Sequence, residues 1–118
     1  MVKILVVDDE PDLLKLMQFQ LKDLGEVVCA ANGTEAINVM NQGGITVAVL
    51  DYFLPDMNGF DLAQKIRGMS GNEKLPLIFF SASEEKINEI PSMENIEKLV
   101  KPVPQDTMLQ TIKKHLGG

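Results

Sequence analysis

Short runs of apolar, often β-branched residues recur along the chain at Lys3–Val7, Glu26–Ala30, Thr46–Leu50, Leu77–Phe80 and Ile96–Val100. Such unbroken runs fit strands of a parallel sheet covered on both faces, where neither side needs polar residues. The stretches between them repeat at helical spacing instead. Leu13, Leu14, Met17, Leu21 and Leu24 make one apolar stripe, with Pro11 near its start and Gly25 as its stop. Ala36, Ile37 and Met40 make a second, closed by Gly43 and Gly44. Leu62, Ala63 and Ile66 make a third, and Met108, Leu109, Ile112 and Leu116 a last one. Stripes at this spacing are core faces, methionines included. Glu84–Ile90 gives a weaker fourth helix, cut short by Pro91.

Strand and helix therefore alternate five times. The predicted fold is α/β: a (βα)₅ domain over residues 1–118, with a doubly wound five-stranded parallel sheet and a short or irregular fourth helix. Strands joined through helices run parallel, and right-handed crossovers leave the sheet open with helices on both faces. In such sheets ligands bind beyond the carboxyl ends of the strands. That edge is where chemistry is expected.

Composition removes several alternatives. The net charge of −6, with no Lys/Arg cluster, speaks against a nucleic-acid surface. The lone cysteine, Cys29, makes neither an internal disulfide nor a cysteine metal site, and its apolar neighbours mark it as a buried small hydrophobe. No apolar run is long enough for a signal-peptide core or a membrane span, so a cytoplasmic chain without membrane insertion is expected.

The strand ends carry suited groups. Asp8 and Asp9 follow the first run, Asp51 the third, Ser81 the fourth and Lys101-Pro102 the fifth. With a flavodoxin-like strand order of 2-1-3-4-5, the first and third strands are neighbours and their carboxylates converge. Clustered carboxylates repel and raise one another's pKa values. A hard divalent ion relieves this, and Mg²⁺ suits a few carboxylates, waters and a phosphate oxygen. Each group also has an ordinary reading: Asp8 and Asp9 as helix caps, Asp51 as a turn residue, Ser81 as a cap and Lys101 as a solvated cation. Their arrival at four strand ends, in this order, outweighs those readings.

The pattern resembles the receiver domain of bacterial two-component response regulators, of the chemotaxis-regulator type, from Val2 to about Leu116. Asp8-Asp9, the stretch Asp51 to Gly59, Ser81-Ala82 and Lys101-Pro102 carry the resemblance. It implies that Asp51 accepts a phosphoryl group from a sensor histidine kinase, a phosphotransfer protein or a small phosphodonor. It implies Mg²⁺ held directly by Asp9, Asp51 and the backbone carbonyl of Phe53, with Asp8 acting mostly through water. Ser81 and Lys101 would each bond a phosphoryl oxygen, with a cis Lys101–Pro102 peptide. A monomer or weak dimer that signals by binding another protein, or by relaying the phosphate, is the expected form.

The chain departs from the family in several places: Ser81 and Lys101 stand 20 residues apart, somewhat closer than usual, Pro91 falls where the fourth helix would continue, and the Gly-Ala pair that commonly precedes the fifth strand is missing. Receivers usually carry Tyr or Phe three residues before the lysine; here Lys98 stands there. Its ammonium is expected to stay in water, since burying it unpaired would cost several kcal/mol. Competing functions fare worse. A haloacid-dehalogenase-type phosphohydrolase needs an acid two residues beyond the nucleophile, where Phe53 stands. A flavin binder needs a phosphate loop where two aspartates lie. A phosphorylation-independent interaction module is the remaining alternative.

Overall fold

The computed structural model of the protein describes residues 1–116. Five strands, β1 (Lys3–Val7), β2 (Glu26–Ala30), β3 (Val47–Asp51), β4 (Leu77–Ser81) and β5 (Ile96–Val100), form one parallel sheet in the order β2-β1-β3-β4-β5. Between and after them come α1 (Pro11–Leu21), α2 (Gly33–Gln42), α3 (Gly59–Arg67), α4 (Glu84–Glu89) and α5 (Gln105–Lys114). This is the expected doubly wound (βα)₅ fold and strand order. The fourth helix is short, with Pro91 just beyond its Ile90 C-cap.

The pleat divides the core in two. Leu5, Val7, Ala48, Leu50, Leu77 and Phe79 face α2, α3 and α4, and they pack with Ala36, Leu62, Ile66 and Ile87. Ile4, Val6, Val47, Val49, Ile78 and Phe80 face the other way, against Met17, Leu21, Met108 and Ile112 of α1 and α5. Double coverage holds for β1, β3 and β4, whose residues from Ile4, Val47 and Leu77 onward are all buried. It does not hold for β2 and β5, the two edges, which keep partly or fully exposed positions. Cys29 lies on the β2 edge and is accordingly half-buried rather than enclosed. Burial still pushes its thiol pKa up.

Lys98 also departs from expectation. The residue is exposed, but its Nζ donates to the Ile90 carbonyl at 2.6 Å and so ties β5 to the end of α4. A helix-end carbonyl, with its partial negative charge and unfilled lone pairs, is a better partner for an ammonium than bulk water alone. Arg67 makes a second tie below it, donating to Leu75 O at 2.8 Å and to Glu94 O at 2.6 Å. No described helix is long and apolar enough to cross a membrane.

Candidate functional site

The register of the sheet assembles the site. Val7 pairs with Leu50, Asp51 with Phe80, and Ser81 with Val100. Ladder-like bonds continue past the strand ends: Asp8 N–H to Ala30 O at 3.1 Å, Tyr52 N–H to Phe80 O at 3.1 Å, and Lys101 N–H to Ser81 O at 2.8 Å. The residues just beyond the apolar runs thus remain at fixed heights along one edge.

Alternation then decides which of them meet. Asp8 follows the parity of Ile4 and Val6, and Asp51 that of Val47 and Val49, so both fall on the α1/α5 side. Lys101 has the parity of Leu99, on the same side. The three converge: Lys101 Nζ lies 2.8 Å from Asp8 Oδ2 and 3.4 Å from Asp51 Oδ2, above the Phe80 ring at 4.5 Å from its centroid. Ser81 has the parity of Leu77 and Phe79, toward α4. Its Oγ accepts the Ser83 N–H at 3.1 Å, and the Ser83 Oγ in turn accepts the Lys86 N–H as the cap of α4. The hydroxyl is therefore wired to the start of α4, on the opposite side from the ion pair.

Asp8 is fully buried, yet both its oxygens are satisfied: Oδ1 accepts the Glu10 N–H at 2.9 Å and Oδ2 the Lys101 ammonium. Neither aspartate caps α1, whose N-cap is Glu10 without a side-chain bond. The capping reading of this pair is thereby removed. Asp51 is almost wholly buried, and the Phe53 N–H approaches its Oδ1 at 3.4 Å. Burial pushes its pKa up to about 6; Lys101 pulls against this, and Asp8 adds to it. For Lys101, burial favours the neutral amine, but the hydrogen bond to Asp8 and the charges of both acids outweigh it and hold its pKa above the usual value.

Asp9 is exposed, beside these two. Carboxylate oxygens of Asp8, Asp9 and Asp51 all lie within 4.8 Å of one another. One ammonium stands against three acids, and hard oxygen donors at this spacing fit a small divalent cation such as Mg²⁺. Phe53 begins a return loop closed by an antiparallel bridge to Asn58 and by Gly59 N–H to Tyr52 O at 2.7 Å. Gly59 is required there: a Cβ would overlap the Asp51 carbonyl oxygen. The Lys101–Pro102 peptide is cis, as expected.

One residue at this edge escaped sequence reasoning. Asp56 reads as turn chemistry, yet its carboxylate bonds to the first turn of α2. The only signal was its place in the turn that follows Asp51; the contact itself depends on tertiary placement.

Comparison with known proteins agrees with this geometry. The model of the response regulator receiver domain matches residues 4–113. An uncharacterized 14.6 kDa protein of the sodA1 3′ region of Leptolyngbya boryana is 33% identical over 116 residues, 95% of this chain and 88% of the relative. The chemotaxis protein CheY4 of Vibrio cholerae superposes with a TM-score of 0.88 at 30% identity, covering 98% of this chain and 99% of that one. The response regulator TrrA of Thermotoga maritima, solved in complex with Mg²⁺-BeF, gives 0.87 at 31% identity over 98% and 100%. A family model spanning nearly the whole chain, over a fold whose strand ends carry the expected acids, hydroxyl and lysine, leads to one conclusion: this chain belongs to the response regulator receiver domain family of two-component signalling.

Proposed function

We propose that this receiver domain is a phosphoacceptor switch, with Asp51 taking the phosphoryl group. The observation that carries the reading is the buried convergence of Asp51, Asp8 and Lys101 at one sheet edge. With a pKa of about 6, Asp51 is ionised near neutrality and available as a nucleophile. One of its oxygens attacks phosphorus in line with the leaving group. The new O–P bond forms as the P–N bond of a kinase or phosphotransfer-protein phosphohistidine breaks, and the freed imidazole retains the bonding electrons. In a small acyl phosphate the P–O bond breaks instead.

Lys101 supplies the fixed positive charge for the phosphoryl oxygens and offsets the crowding of acids. The Ser81 hydroxyl has a free proton to donate to another oxygen, since its bond to Ser83 uses it only as acceptor. Asp9, Asp51 and the Phe53 carbonyl would hold Mg²⁺, with Asp8 acting through water. Bound there, the ion supplies charge neutralisation for the transferring group. The Mg²⁺-BeF complex of the Thermotoga relative supports this assignment. The chain acts on no separate substrate beyond its donor; it catalyses its own phosphorylation and dephosphorylation, and the phosphorylated form changes its binding to a downstream protein.

Incubation with acetyl phosphate and Mg²⁺ tests this reading. Intact-mass spectrometry should show the gain of one phosphoryl group, abolished by EDTA. Labelling that proceeds equally in EDTA would sink the metal assignment, and no labelling under any condition would sink the switch.

A further inference from the structure

The loop 52–58 leaves β3 directly after Asp51 and returns to α3. Its base is closed by the Phe53–Asn58 bridge and by the Gly59–Tyr52 bond. Its tip reaches sideways to a different element. Asp56 Oδ1 accepts the Gly33 N–H at 2.8 Å, while Oδ2 accepts the Thr34 N–H at 2.9 Å and the Thr34 hydroxyl at 2.7 Å. Beside it, Met57 fills the space over Gly33 so closely that a Cβ there would overlap its side chain. Three donors from one helical turn thus hold both oxygens of a single carboxylate. The Thr34 hydroxyl bond, followed by the Gly33 N–H, keeps the Asp56 pKa below its usual range.

Capping alone does not account for this arrangement. α2 already has a cap of its own, Asn32, whose side chain accepts the Glu35 N–H at 2.8 Å. Asp56 and Thr34 are exposed, so water would serve the Thr34 donors in its absence, while the Gly33 N–H belongs to a buried residue under Met57. What water would not do is fix the loop. Phe53 and Asn58 bridge at the base of the loop, and the tip between them in sequence is pinned to α2 through Asp56, so the docked tip holds both arms of that bridge, the Phe53 arm included.

We infer that Asp56 is a positioning residue: by docking the 52–58 loop on the first turn of α2, it sets the Phe53 carbonyl and the Asp51 carboxylate for Mg²⁺. The inference rests on the metal assignment made under Proposed function. Removing a residue that orients a metal ligand typically lowers affinity by about 10–100-fold. Asp56 acts on the Phe53 carbonyl through the backbone and from the surface, which places its effect near the lower end, about 10-fold.

The experiment compares the intact wild-type protein with Asp56→Ala, Asp56→Asn and Thr34→Val. Mg²⁺ affinity is read from NMR shifts, and metal-free amide exchange is read over residues 52–58 and α2. Asp56→Ala should bind Mg²⁺ about 10-fold more weakly, with faster exchange across 52–58. Asp56→Asn and Thr34→Val, which each keep part of the contact, should fall between it and wild type. Unchanged Mg²⁺ affinity in Asp56→Ala, with faster exchange confined to α2, would make Asp56 a plain helix cap and overturn the inference. Wild-type protein that binds no Mg²⁺ would instead overturn the metal assignment itself, and the inference with it.

Discussion

Replacing Lys101 by Met removes a charge while keeping much of the side chain's volume, and its cost follows from the geometry. The ammonium sits 2.8 Å from Asp8 and 3.4 Å from Asp51, and the Lys101 side chain is 19% exposed. Without it, Asp8 keeps only the Glu10 N–H, and two buried acids face each other with no counter-charge. Breaking a buried pair from one side costs about 3–5 kcal/mol. The site opens to solvent at Asp9, which screens part of that, so a loss of about 2–3 kcal/mol is expected. For a domain of this size that is roughly a 10 °C fall in Tm. Thermal and urea unfolding in EDTA at low salt measure it. The double variant Lys101→Met/Asp8→Asn should recover part of the loss, because it removes the orphaned Asp8 charge and its repulsion of Asp51, while Asp51 still lacks its counter-charge. Mg²⁺ should also narrow the gap for the single variant, by replacing the missing positive charge. A Lys101→Met protein within about 0.5 kcal/mol of wild type would refute the reasoning, since it would make the contact an ordinary screened ion pair.

Asp51 is harder to ionise in the folded chain, with its pKa raised from 3.8 to about 6, so its contribution to stability is full in acid and is lost as pH rises through about 6. Asp51→Asn escapes that loss, so in EDTA its stability relative to wild type should grow between pH 4 and 7; a difference flat in pH would contradict the shift. Phe53, half-exposed beside the acceptor, offers no polar group to orient a hydrolytic water, so Phe53→Asn should lose phosphate faster; equal or slower first-order decay would remove that role. Lys98→Met should leave labelling of Asp51 intact and lower global stability by about 1 kcal/mol or less, while amide exchange accelerates over residues 84–95, where the Ile90 bond is lost. Exchange unchanged there would show that the Lys98 tie holds nothing.

Much of this was legible in the chain because burial on both faces writes itself as an unbroken apolar run. β1, β3 and β4 are covered on both sides, and their runs mark both the strands and the groups just past them. The acids, the hydroxyl and the lysine followed from that placement and from the family pattern. The shift of β3 by one residue, to end on Asp51 itself, is small but useful: it puts the acceptor in the ladder, opposite Phe80, rather than in a free turn. What could not be read depends on contacts between elements distant in sequence. Lys98 has its partner at the end of α4, Arg67 gathers carbonyls from two loops, and Asp56 reaches α2. A charged residue looks the same in sequence whether water or a group from a distant element receives it. Cys29 misled for a related reason: its apolar neighbours suggested enclosure, but an edge strand has no neighbour on one side to complete it.

The central claim is that Asp51 receives the phosphoryl group, and site mapping tests it most directly. After acetyl phosphate and Mg²⁺, borohydride reduces an aspartyl phosphate to homoserine, which peptide mass spectrometry locates. Homoserine is expected at position 51 and nowhere else, and none in Asp51→Asn. Homoserine at position 8 or 9 in the wild-type protein, or undiminished labelling of Asp51→Asn, would contradict it.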